Sequence, residues 1–161
     1  MKADVLARSD LFTRVISSVV LAPLAIVTAY IGGWAFLAFW IAAALAILWE
    51  WRRIVGDASG ITAAIGIVAI GALAVSTVSG QLLWTLVVAA LAVALACAAG
   101  GGHRYWAGAG ILYAGLVVGG PLILRSDQNY GFSAIVFLFG IVWATDILGY
   151  FVGRFVGGPK L

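Results

Sequence analysis

The sequence predicts an all-α, polytopic integral membrane protein with about six transmembrane helices and both termini in the cytosol. Hydrophobic residues make up 65% of the 161-residue chain and charged residues 9%, against roughly 25% charged in an ordinary soluble domain. The few charges gather in short clusters, and long charge-free runs separate them. Such runs cross a bilayer as helices of about 20 residues each. Nothing in the chain reads as a soluble domain or a long linker.

Residues 1–14 carry Lys2, Arg8 and Arg14, partly balanced by Asp4 and Asp10, and read as a short interfacial lead. The charge-free run from Val15 to Trp49 is too long for one span. Gly32-Gly33 divides it into spans at 15–31 and 34–51, with Pro23 placed to kink the first. A cleaved signal peptide is disfavoured, because the apolar run is longer than a signal core and no convincing small-x-small site precedes the second span. Glu50, Trp51, Arg52, Arg53 and Asp57 form the first charged loop, and Trp49 and Trp51 suit the membrane interface. Arg52 and Arg53 are read first as topology-setting charge, with contact to lipid phosphates as the alternative.

The next charge-free run breaks at Ser76–Gln81, which gives spans at 61–76 and 82–99. Gly100-Gly101-Gly102 is a turn, since it lacks the Lys-Ser/Thr of a phosphate loop. A fifth span covers 106–124, and Gly119-Gly120-Pro121 near its end predicts a broken or kinked helix. Arg125 to Asn129 form a polar loop, and a sixth span at 132–152 contains Asp146. Cys97 is the only cysteine and reads as a small apolar helix residue, so no intrachain disulfide forms. His103 reads as a loop histidine. The organisation expected is five N-terminal spans over 1–125 and the start of a catalytic region over 126–161.

Orientation follows from the basic residues. With six spans and a cytosolic N-terminus, Lys2, Arg8, Arg14, Arg52, Arg53, Arg104, Arg154 and Lys160 face the cytosol, eight of the nine Lys and Arg; Arg125 faces out.

The last nineteen residues carry the chemistry. A carboxylate inside a span costs about 2.5–3.5 kcal/mol on insertion scales, so Asp146 needs a reason to be there. On a helix, Trp143, Asp146, Gly149, Tyr150, Gly153 and Gly157 share one face. Ile147, Leu148, Phe151, Val152, Phe155 and Val156 lie opposite, with Arg154 on the border. The four-residue glycine spacing lets another helix or a ligand approach the backbone. Asp146 and Arg154 are separated by about 12 Å along the helix. Two readings stand on these residues. One is a glycine-packed span whose acid is satisfied by a neighbouring Arg or hydroxyl. The other is a functional acid.

The run Asp146-x-x-x-Tyr150-x-x-Gly153-Arg154-x-x-Gly157-x-x-Lys160-Leu161, with Trp143 upstream, resembles a segment of the CDP-diacylglycerol synthase (phosphatidate cytidylyltransferase) family. Gly158 departs from the pattern, standing where the family usually has a basic residue. The family pattern continues with a Ser-Pro-Lys-Lys-Thr-Glu-Gly-like segment and a later acid- and histidine-containing signature, neither of which lies in these 161 residues. The resemblance implies transfer of a cytidylyl group from CTP to phosphatidate, giving CDP-diacylglycerol and pyrophosphate in phospholipid biosynthesis. It implies catalytic roles for Asp146, Arg154 and Lys160, substrate contacts at Gly149, Tyr150, Gly153 and Gly157, and Mg²⁺ held by Asp146. The partners implied are CTP, phosphatidate and the lipid bilayer, with no nucleic acid, and a second copy can pair on the glycine face. The membrane expected is the bacterial inner membrane, with the site facing the cytosol. A lone carboxylate does not complete a two-metal site, so residues 1–161 alone are expected to insert and fold without catalysing. The alternatives are a CTP-dependent polyprenol-type lipid kinase, a transporter using Asp146 as a cation or proton site, and a structural membrane subunit.

The topology is testable. In a Cys97-free background, cysteines at Ser79 and Gln128 should react with an impermeant thiol reagent from outside, and cysteines at Ser59 and Lys160 should not. Outside labelling at position 160 would remove the cytosolic site.

Overall fold

The computed structural model describes the backbone of residues 20–156, with every side chain in that range except those of Tyr150, Arg154 and Val156. The described residues form helices α1 (Val20–Ile31), α2 (Gly33–Val55), α3 (Gly60–Val78), α4 (Leu82–Ala99), α5 (Arg104–Arg125) and α6 (Gly131–Val156), with a 3₁₀ turn at Gly101–His103 before α5. No strand occurs among them. Five helices, α2 to α6, are long and apolar enough to cross a membrane. The described part of the expected first span, α1, is shorter, and its residues 15–19 and the lead at 1–14 lie outside the described residues.

Each boundary has a local cause. Gly32 turns the chain between α1 and α2 at φ 68°, a backbone region that glycine occupies without strain. At the other end of α2, Gly56 is left-handed at φ 75° and its N–H bonds the Arg52 carbonyl, closing the helix as glycine C-caps do. The charged stretch Glu50–Arg53, expected as a loop, is the last part of α2. Arg52 and Arg53 lie in the final turn, where cations offset the negative end of the helix dipole, so the charges extend the helix into the interface. Ser59 caps α3 through a 3.4 Å bond from the Thr62 N–H. Before α6, one Asp127 side-chain oxygen accepts from the N–H groups of Asn129 and Tyr130 at 2.9 and 2.7 Å.

Of the two outcomes expected at Gly119-Gly120-Pro121, a broken or a kinked helix, the break does not occur: α5 runs through Pro121 to Arg125. Pro23 is likewise inside α1. In a bilayer, neighbouring helices support a proline-containing turn that would fail alone in water, and Pro121 is buried.

α2, α3, α4 and α5 make up the core, with α5 touching each of the other three. Of the spanning stretch around α5, 44% is buried, against 6% for α6. α5 earns its place through small residues. Ala107, Gly108, Gly110, Ile111, Ala114 and Val118 are buried along it, the pattern that lets membrane helices approach closely. A methyl group on Gly108 would lie 2.5 Å from the Cys97 sulfur on α4. One on Gly110 would lie 2.6 Å from Trp51 Cδ1 on α2. On α3, Gly66 makes the same allowance for Leu48 of α2. The outward faces are covered with large apolar side chains, including Val68, Leu83, Leu91 and Leu116, as a lipid-facing surface requires.

Connections between successive spans are short, so the helices alternate in direction. One end of the bundle gathers the C-terminus of α2, the N-terminus of α3 and the N-terminus of α5. Trp51 ties α2 to α5 there by donating its indole N–H to the Trp106 carbonyl at 2.9 Å, and its ring packs against Trp106 and Tyr113. At the opposite end, Arg125 Nε donates to the Ala29 carbonyl at 2.8 Å, joining the α1–α2 turn to the end of α5. α6 docks by its first half. Ile135 is fully buried, Phe132 meets Tyr30 edge-on, and Phe139 stacks between Trp40 and Trp143 with centroids 6.3 and 5.7 Å away.

Gly110→Ala should destabilise the purified protein by about 1–3 kcal/mol, as overpacking does, because Trp51 is hydrogen-bonded and wedged between two rings. Gly71→Ala, with open space around it, should be neutral or stabilising, since alanine is the better helix former by roughly 0.5–1 kcal/mol. Equal thermal shifts for the two variants would refute this account of α5 packing.

Candidate functional site

The candidate acid, Asp146, sits in the second half of α6. Past the docking point at Phe139, the helix leaves the bundle: every described side chain from Ile141 to Phe155 is exposed. Asp146 is therefore on open surface, with no hydrogen bond or ion pair to another described residue. The expected satisfaction of this acid by a neighbouring Arg or hydroxyl is not made among the described residues. Thr145 spends its hydroxyl on its own helix, donating to the carbonyls of Ile141 and Val142.

Gly149 and Gly153 lie one and two turns further on, and an added methyl group would meet nothing within 4 Å at either. The close helix contact expected on this face is thus absent from the described bundle. The glycines that do seat a neighbour are Gly66, Gly108 and Gly110. Tyr150 and Arg154 occupy positions on the same helix. Gly157 and Lys160 lie outside the described residues. What α6 brings together is one carboxylate and a strip of uncovered backbone, with apolar Ile147, Leu148, Phe151, Val152 and Phe155 exposed around them. Among the described residues, no three His, Cys, Asp or Glu side chains converge as a metal site.

A second charged arrangement lies at the α2–α3 turn, and the reading of the sequence did not find it. The Asp57 side chain is 3% exposed and meets Arg52 Nε at 3.1 Å. Its other oxygen accepts the Ser59 N–H at 3.0 Å, and the Thr62 hydroxyl donates to the first. Arg52 also donates to the Ser59 carbonyl. Burial pushes the Asp57 carboxyl up, but the bonds from Thr62, Ser59 and Arg52, with the Arg52 charge, together hold it below its ordinary value. The signal was present in the sequence: an Asp two residues before a Ser N-cap, with Thr in the first helical turn.

A cytidylyltransferase family model matches residues 12–161. The chain is 36% identical over 157 residues to phosphatidate cytidylyltransferases from Brucella abortus, Brucella suis and Brucella melitensis. Each alignment covers 95% of this chain and 58% of the relative. This chain belongs to the cytidylyltransferase family, and it spans a little over half the length of these relatives. No solved structure matches it.

The Asp57 cluster has a pH signature. A carboxyl held low in the folded protein contributes stability above the ordinary carboxylate pKa, about 3.9. That contribution is lost as pH falls through the lower folded value, because the unfolded chain takes up the proton first. The melting temperature of the wild type should therefore drop as pH falls below about 4. Asp57→Asn should start lower at neutral pH and fall less steeply. Parallel curves for the two proteins would show that the cluster is not a source of stability.

Proposed function

We propose that this chain forms part of a membrane cytidylyltransferase that makes CDP-diacylglycerol and pyrophosphate from CTP and phosphatidate. The observation that carries the reading is the face of α6 on which Asp146, Gly149 and Gly153 are uncovered. That face belongs to the stretch that matches the family pattern most specifically.

In the proposed reaction a phosphate oxygen of phosphatidate attacks the α-phosphorus of CTP. A new phosphoanhydride bond forms, the α–β bond breaks, and pyrophosphate leaves with its electron pair. The reaction concentrates negative charge on phosphate oxygens, so positioning and neutralisation supply most of the catalysis. Gly149 and Gly153 let a headgroup come close to the helix backbone. Arg154 and Lys160 are the bases proposed to contact phosphate, and Tyr150 is proposed to donate a hydrogen bond. Mg²⁺ is held by one or two carboxylates together with phosphates and water, and Asp146 fits the role of one such ligand. The ion would neutralise phosphate charge. Further ligands would come from substrate, water or groups outside the described residues. The site is proposed to face the cytosol at the bacterial inner membrane, where CTP is available, with a second copy proposed to pair on the open face.

The test uses radiolabelled CTP with phosphatidate and Mg²⁺ in mixed micelles. Residues 1–161 alone should form no CDP-diacylglycerol. A chimera joining them to the C-terminal remainder of the Brucella abortus relative should form it. In that chimera Asp146→Asn should lower turnover at least 100-fold while leaving membrane insertion intact. Near-normal turnover in the variant would return Asp146 to a structural role, and robust product from residues 1–161 would show that the site is already complete.

A further inference from the structure

We propose that the end of α2 and the α2–α3 turn form a binding site for an anionic phosphate headgroup, separate from the acid face of α6 and independent of the transferase reading. Trp49, Arg52, Arg53, Gly56, Asp57 and Ala58 line an open surface pocket of about 380 Å³. That is ample room for a phosphate and the glycerol carbons attached to it.

The two arginines in the pocket are held differently. Arg52 is fixed: Asp57 and the Ser59 carbonyl accept from its Nε and one terminal nitrogen, and Asp57 matches its charge. Arg53 is exposed. Its guanidinium lies over the Trp49 ring, 5.6 Å from the centroid, and forms no ion pair among the described residues. A guanidinium resting over an indole gives up part of its side-chain freedom to that contact, and no hydrogen bond to a described residue occupies the Arg53 donors. That geometry suits bidentate contact to two oxygens of one phosphate.

The charges around the pocket favour an anion. Asp57 is the acid that lines it, and its carboxylate is turned inward with its oxygens committed to Arg52, Ser59 and Thr62. The carbonyl end of α2 carries a partial negative charge of about half a unit, which the full charge of Arg53 outweighs. Glu50 precedes Arg53 by one turn on α2 and is exposed. It pairs with neither arginine. Its presence makes diffuse attraction weak, so a ligand would be held by direct contact with the guanidinium.

The depth of the pocket points to a lipid. Trp49 and Trp51 close the apolar run of α2, and such tryptophans sit at headgroup level. The polar turn begins immediately beyond them. A phosphate there has two possible sources, an anionic lipid in the membrane or a soluble phosphate compound from the aqueous side, and the same residues would receive either.

The experiment compares the wild-type chain with Arg53→Gln and Arg104→Gln. Arg104 is a fair control: it lies on the same end of the bundle, is exposed, and is stacked on Tyr105 at 4.6 Å, outside the pocket. Detergent-purified protein is offered phosphatidylglycerol, phosphatidate or phosphatidylcholine, and retained lipid is counted by native mass spectrometry. In a second arm, inorganic phosphate is titrated and the melting temperature followed. Wild type and Arg104→Gln should retain the anionic lipids over phosphatidylcholine. Arg53→Gln, eluting and melting like the wild type without ligand, should lose that preference by roughly tenfold or more. A phosphate-dependent rise in melting temperature that Arg53→Gln abolishes, without lipid retention, would support the site with a soluble source. Equal losses in Arg53→Gln and Arg104→Gln would overturn the proposal, because net surface charge would then explain binding. So would a wild type that neither prefers anionic lipid nor responds to phosphate.

Discussion

The close approach that α5 permits is the constraint on which the bundle depends. Lipid tails are as apolar as leucine, so helices in a membrane gain little from hiding apolar surface from one another. They hold together through contact that lipid cannot match, and that contact requires backbones to come near. Gly108 and Gly110 provide it on two sides of α5, accepting Cys97 from α4 and Trp51 from α2. Trp51 then does three things at once. It fills the space left by Gly110, bonds the Trp106 carbonyl and packs on Tyr113. That indole is one of the contacts that fix α2 against α5, alongside Leu48, which meets Gly66 and Gly110.

α6 is attached by a different kind of contact. Its first half is held by rings, with Phe139 lying between Trp40 and Trp143 in a near-parallel stack. The rings set how deep α6 sits and which way it is turned. Asp146 is three residues beyond Trp143, so the last ring of the stack sits one turn before the acid. The core bundle therefore carries the polar helix without enclosing it. In the same way, the Asp57 cluster shows how a buried acid is tolerated in this protein, by surrounding it with donors. Asp146 has no such surroundings among the described residues, and the two carboxylates are best understood as one committed to structure and one left open.

Much of the fold was legible in the sequence. The apolar run at 82–99 coincides with α4, and helices meet at the breaks expected at Gly32 and Gly100; the break expected at Ser76–Gln81 begins late, because α3 runs on to Val78. Those boundaries are written in residues with strong local preferences. The end of α2 was not, because charge was read as loop. At an interface a helix can carry arginines out into water, and it ends at Gly56 instead. Pro121 did not end α5 for a related reason: α5 is the most embedded of the spans, and its neighbours support the turn that proline weakens. The candidate site was legible in kind but not in surroundings. The spacing of Asp146, Gly149 and Gly153 placed them correctly on one face of a helix. Nothing in the spacing distinguishes glycines that seat a neighbour from glycines left open, so Gly108 and Gly110 were passed over.

The bond from Arg125 to the Ala29 carbonyl spans 96 residues of sequence, and this bears on the order in which the protein is made. The turn at Gly32 leaves the ribosome long before its partner exists. At about 5–20 residues per second, roughly 5–20 s of synthesis separate the two. During that interval the first helices are already in the membrane with a carbonyl waiting for its donor. The bundle can be fastened at this end only after α5 has been threaded past α2 and α3, so assembly here is a closing step that comes late, set by the timetable of translation.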